Sequence, residues 1–261
     1  MADVQANVYL PYRVKRTHAQ MRLFCFPYAG GNAAAFQKWH RAFPDSIEVC
    51  SLQYPGRGNR MREPAFTNAI PLAHDVARAL TSLLDLPFAF FGHSMGGLIA
   101  FEVAREFRRK QLPLPLHLFV SSVRAPQFPN RDRIAPDMPE PQFKEELRRL
   151  NGTPNEVLEN KELMNLMLPM LRADFSVAQT YPYVEEKELS CPLTVYGGME
   201  DPSVSLPELE GWREHTSGNF KLQMFSGDHF YLHASEALLT GQVLKELRES
   251  APAFSASSSR G

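Results

Sequence analysis

The chain has 261 residues, 44% of them apolar and 22% charged, which are the proportions of a folded globular protein and exclude disordered and fibrous classes. Its 28 Lys and Arg against 29 Asp and Glu leave a net charge of -1, so there is no overall field to draw in nucleic acid or an anionic membrane. Cys25, Cys50 and Cys191 are scattered, with no CxxC pair and no zinc-like spacing, and read as reduced thiols with no metal.

The N-terminal stretch MADVQANVYLPYRVKR lacks the apolar run of a signal peptide, and no segment approaches the ~18 apolar residues of a membrane span, so a cytoplasmic protein without a membrane partner is expected. Six short apolar runs then recur along the chain, at 21–26, 47–52, 88–91, 116–121, 192–196 and 220–225. Near-continuous runs of this kind suit strands buried on both faces of a parallel sheet. Between them, 33–43, 67–84, 97–110, 206–215 and 234–249 carry apolar residues at helical spacing. The alternation predicts an α/β fold, a mostly parallel central sheet with helices on both faces. The stretch 124–188 breaks the alternation with a Pro-rich loop and two expected helices, 142–150 and 162–179. It reads as a helical lid inserted into a core made of 1–123 and 189–250. Met164, Met167 and Met170 in it suit a pocket for a pliable acyl chain or simple packing, and the Ser/Ala-rich tail 251–261 reads as disordered.

Chemistry is concentrated in GHSMG at 92–96, which follows the strand FAFF and opens directly into a helical pattern. Such a strand–turn–helix context makes Ser94 the nucleophile of a serine hydrolase of the α/β-hydrolase type. A serine hydroxyl needs a base, and the base needs an orienting acid, in the chain order Ser, Asp or Glu, His. His229, in the loop after the last expected strand, is the expected base, with His233 as competitor. His117 falls inside a strand, His215 ends a surface helix, and His93 reads as a shaping residue. Asp201, following the strand at 192–196, is the expected acid. Glu200 is its alternative, Asp228 is disfavoured by adjacency to His229, and Asp174 is expected on the polar face of an inserted helix. The backbone N–H of Met95 supplies one oxyanion donor by position. Ala29, in the FPYAGGN loop at 26–32, is the first choice for the second and Tyr28 the next.

Taken together, LFCFPYAGGNAAAFQKW at 23–39, SLQYPGRGNRMREP at 51–64, PFAFFGHSMGGLIAFEVA at 87–104, LHLFVSS at 116–122, LNGTP at 150–154 and SGDHFYL at 226–232 make the chain resemble type II thioesterases of polyketide, nonribosomal-peptide and fatty-acid synthases. It is also similar to animal medium-chain and oleoyl-[acyl-carrier-protein] hydrolases. The resemblance implies hydrolysis of acyl thioesters on the phosphopantetheine arm of an acyl or peptidyl carrier protein, with no cofactor and a monomeric enzyme. Because such carriers are acidic, Arg57, Arg60 and Arg62, with Tyr28, are candidate docking residues, as are Arg131 and Arg133. Other readings are a small-molecule carboxylesterase or lipase, an acyltransferase, and an idle hydrolase scaffold that only binds.

Overall fold

The computed structural model describes residues 8–130, 135 and 137–251; Arg131, Arg133 and the tail from 252 lie outside them. The apolar runs form β1 (Met21–Phe26), β2 (Ile47–Ser51), β3 (Phe88–His93), β4 (Leu118–Ser121), β5 (Leu193–Gly198) and β6 (Phe220–Phe225). These make one sheet in the order β2-β1-β3-β4-β5-β6 with every pair parallel. Successive residues of a strand point to opposite faces, and two cores result. Phe24, Phe26, Phe88, Phe90, Val120 and Val195 pack under α1 (Ala69–Leu80) and α2 (Met95–Arg109). Leu23, Cys25, Phe91, Phe119 and Tyr196 face a 3-10 helix over Ala33–Arg41 and the C-terminal α8 (Glu236–Ser250). Coverage on both faces is why β1 to β5 are buried along their whole length, whereas β6, at the sheet's edge, is half-buried and places Lys221 and Gln223 between its apolar residues.

The chain passes from β1 outward to β2 and then returns to place β3 on β1's other side. Order therefore reverses between β1 and β3, and the carboxyl ends of strands flanking such a reversal are where α/β sheets bind ligands. Between β4 and β5 the insertion contributes α3 (Glu140–Leu150), α4 (Asn155–Glu159) and α5 (Lys161–Gln179). They hold a small core of their own, with Phe143, Leu147, Leu158, Met164, Met170 and Leu171. The five-residue α4 was not expected; it is too short to show a helical period, and only Pro154 just before it marks its start. Further along the chain, α6 (Leu206–Glu210) follows β5 and α7 (Tyr231–Ala234) follows β6. Cys25, Cys50 and Cys191 are free and buried; burial pushes the Cys50 and Cys191 thiols up to about 12, which leaves them unreactive.

Candidate active site

The elbow sits at the point where the strand order reverses. β3 runs two residues beyond the expected 88–91, and α2 starts at Met95 rather than Gly97, so the turn between them is a single residue. Ser94 has φ 53° and ψ -124°, a region that L-residues enter only under constraint. Its N–H donates to the Ser121 carbonyl at 2.7 Å and its carbonyl accepts from Gly97 N–H at 2.8 Å. A Cβ on Gly92 would lie 2.2 Å from the Gly96 carbonyl oxygen, and one on Gly96 would lie 2.0 Å from that of Phe26. Only glycines allow so sharp a turn against the end of β1.

Two loops bring Ser94 its partners. The Ser94 hydroxyl lies 3.0 Å from His229 Nε2, and His229 Nδ1–H donates to Asp201 Oδ2 at 2.7 Å. That bond fixes the tautomer, leaving Nε2 as acceptor for the serine proton. The loops can approach because β5 ends in Gly197-Gly198: a Cβ on Gly198 would lie 2.3 Å from the Asp228 carbonyl oxygen. Asp201 Oδ1 also accepts from the Ser203 N–H at 2.8 Å and from its hydroxyl at 2.6 Å, and that hydroxyl is 3.0 Å from His229 Nδ1. Burial alone would raise the Asp201 carboxyl, but the His229 and Ser203 hydrogen bonds outweigh it and hold it below the usual carboxylate range. Ser203 was not singled out from the sequence, although an Asp with a backbone N–H two residues on is the ordinary Asx-turn spacing.

The competing residues are occupied elsewhere. His233 Nε2 is 3.2 Å from the Tyr28 hydroxyl, Glu200 is exposed, and Asp228 accepts from Asn151 Nδ2 at 2.9 Å and from Phe230 N–H at 2.8 Å. His93 lies beneath the site, hydrogen-bonded through Nδ1 to the Ser121 hydroxyl at 2.8 Å, and burial holds its imidazole neutral, far below its usual range.

Gly96 rests on the loop after β1. In that loop Gly30 N–H donates to Asp174 Oδ2 at 2.7 Å and Gly31 N–H to the Tyr28 carbonyl at 2.9 Å. Asp174, expected on a polar helix face, is instead buried at 1% exposure, facing Arg57. The Arg57 guanidinium donates both Nη1 and Nη2 to its two oxygens at 2.6 Å and Nη1 also to the Gly31 carbonyl at 3.0 Å. Arg57 and Arg60 therefore cannot form the expected docking surface. A buried guanidinium must be paired, and Arg60 is likewise held by Glu63 at 2.6 Å and set 4.0 Å from the Tyr9 ring centroid. Of the three, Arg62 alone is exposed. Tyr28 is half-buried, packed edge-on against His93 and Phe230.

Ser94 and His229 open onto a cavity of about 110 Å³ walled by Leu98, Val123, Phe128 and Ala178. One water needs only roughly 10–15 Å³, so this is room for a ligand segment rather than a packing defect. The insertion's methionines do not line it: Met164 and Met170 fill the insertion's own core, and Met167 faces a separate cavity beside residues 28–32 and 152–154. The insertion reaches the Ser94 cavity through Arg124, Pro126, Phe128 and Asn130 in its first loop, through Ala178 and Gln179 at the end of α5, and through Tyr181.

Residues 21–250 match the thioesterase domain family. The chain is 48% identical over 230 residues to the gramicidin S biosynthesis protein GrsT of Aneurinibacillus migulanus, a span of 88% of this chain and 90% of that protein. It is 38% identical over 243 residues to the medium-chain S-acyl fatty acid synthase thioesterase of Homo sapiens, covering 90% and 91%. Among solved structures, the type II thioesterase BorB from the borrelidin biosynthetic cluster superposes with a TM-score of 0.84 at 35% identity, covering 92% of this chain and 98% of that one. Likeness of this extent, running through both the sheet and the insertion, places the chain in the thioesterase domain family, as a serine hydrolase that acts on thioesters.

Proposed function

We propose that the protein hydrolyses acyl thioesters carried on the phosphopantetheine arm of an acyl or peptidyl carrier protein, with Ser94 as nucleophile, His229 as general base and Asp201 as its orienter. The observation that carries this reading is the unbroken relay Asp201–His229–Ser94, with contacts of 2.7 and 3.0 Å, at the mouth of a cavity. Ser94 Oγ bonds to the thioester carbonyl carbon while its proton passes to His229 Nε2. The Met95 and Ala29 amides receive the resulting oxyanion. In favour of Ala29, the next two amides of its loop are already used by Asp174 and the Tyr28 carbonyl. Collapse of the adduct breaks the C–S bond, and the thiol, with a pKa near ~8.5, leaves with the proton returned from His229. A water then attacks the acyl-enzyme, gives its proton to His229, and releases the carboxylic acid and the free serine.

Supporting a carrier-bound substrate are the relatives named for gramicidin S biosynthesis and for fatty acid synthase. Residues 124–188 serve as the lid over the acyl cavity, and Arg62 remains as the cation of its loop able to meet an acidic carrier. No helix among the described residues is long and apolar enough to cross a membrane, and we place the enzyme in the cytoplasm as a monomer, which light scattering on the purified chain checks. The function is tested with acyl-carrier proteins bearing short, branched and long chains. Wild type should release acid from some of them, and Ser94→Ala should lose activity by about 10⁶-fold. Turnover of none by the wild type would overturn the assignment.

A further inference from the structure

Two residues that line the Ser94 cavity each carry a buried polar atom with no hydrogen-bond partner in the protein: Ser122, through Oγ, and Gln179, through Nε2. Ser122 leaves β4 as Ser94 leaves β3. The register pairs His93 with Ser121, and the ladder continues past the strand ends, Ser94 N–H to Ser121 and Ser122 N–H to Tyr196. The two serines are thus side by side on neighbouring strands, about 5 Å apart at Cα. Both have positive φ, 53° and 47°. A glycine would hold that backbone with less strain, yet position 122 carries a hydroxyl, at 1% exposure.

Gln179 comes from the opposite wall, as the last residue of α5. Buried donors without partners are costly, and native structures keep few of them. The other orphaned side chains among the described residues, Tyr54, His93 and Tyr196, do not line this cavity. The carboxamide N–H only donates and the hydroxyl can donate or accept, so one acceptor oxygen between them satisfies both. Ser122 is one strand from the nucleophile, which puts that oxygen within the first few carbons beyond the thioester carbonyl. An all-carbon chain would leave both donors buried and unpaired.

We propose that Ser122 and Gln179 form a polar subsite selecting acyl groups with a keto or hydroxyl oxygen near the thioester, 3-oxoacyl and 3-hydroxyacyl chains above all. This rests on the thioesterase reading of Ser94. The test compares the pantetheine thioesters of 3-hydroxybutyrate and 3-methylbutyrate, which differ by a hydroxyl in place of a methyl, on the full-length enzyme. The wild type should favour the hydroxy substrate by about tenfold or more in kcat/KM. Ser122→Ala should lower that ratio by about tenfold. Gln179→Leu, on a different element, should lower it too and keeps the test open if the first variant folds poorly. A structural role alone would reduce both substrates together and preserve the ratio. Equal wild-type turnover of the two, or variants that keep the wild-type ratio, would overturn the subsite and leave the thioesterase reading standing. Turnover of neither by the wild type would overturn that reading and the subsite with it.

Discussion

Ser203 shows how much of a relay lies outside its three obvious members. Its N–H and hydroxyl occupy one oxygen of Asp201, which leaves Oδ2 for His229, so the carboxylate is locked in the rotation that the imidazole needs. Removing the hydroxyl in Ser203→Ala takes away one of these anchors but not the acid. A fall of about tenfold in kcat/KM is expected, with Ser94 still labelled by a fluorophosphonate. Asp201→Asn is a harsher change. Its side-chain N–H₂ would favour the wrong tautomer of His229, and kcat should fall by about 10⁴-fold. If the two variants proved equally impaired, Ser203 would be acting as more than a positioning residue. The elbow and its partners were legible because each sits directly after an apolar strand, where sequence position and sheet geometry coincide. Ser203 was harder to see, since its role depends on the Asx turn that Pro202 allows rather than on a strand end.

At the scale of elements, α5 and the loop after β2 are tied by one buried ion pair, which also grips the loop after β1. Asp174 and Arg57 are 117 positions apart in sequence, with side chains 2% and 4% exposed. Period and spacing cannot reveal such a partner. An Asp every few residues on a helix looks the same whether it meets solvent or a guanidinium. The same blindness put Arg57 and Arg60 on a surface. The pair holds Gly30 N–H and the Gly31 carbonyl, just beyond the proposed donor Ala29, so the insertion and the loop after β1 share one support. Asp174→Asn leaves a buried guanidinium without its counter-charge and should cost about 3–5 kcal/mol in stability, seen as a lower Tm, while lowering kcat more than it raises KM. The double substitution Arg57→Met with Asp174→Leu removes both charges. It should recover much of the stability but not kcat, because nothing then fixes Gly30. Full recovery of kcat in the double variant would reduce the pair to a packing device.

Across the whole molecule, the sheet was the legible part. Strands β1 to β5 are buried along their whole length and announce themselves as apolar runs, the edge strand β6 is only half-buried, and the parallel pairing follows from the helices between them. Histidines buried in that framework set how it responds to acid. His117 is stacked on Phe119 at 4.1 Å and hydrogen-bonded to Thr194 and Ser250, each at 2.8 Å; burial pushes its imidazole down to about 3. His215 is lowered to about 4, first by burial and then by Arg105, and burial also holds His93 well below its ordinary value of 6.5. For each, the unfolded chain takes up a proton near pH 6.5 that the folded chain refuses until far lower. Between those two limits the unfolded state binds more protons, so stability is complete above pH 6.5 and declines as pH falls. Carboxylates such as Glu48, which burial would raise but Arg13 and Arg22 hold below 4.5, add their loss only at more acid pH. Tm should therefore be level above pH 7 and begin to drop between pH 6.5 and 4.5, before most carboxylates titrate. Replacing His117 with Gln keeps hydrogen-bonding capacity without the titration, and should shrink that drop by on the order of 5 °C. Calorimetry of both proteins at pH 7.5, 6 and 4.5 measures it: a wild-type Tm that held constant down to pH 4.5, or an identical slope in the His117→Gln variant, would mean that these imidazoles do not govern the acid limit of the fold.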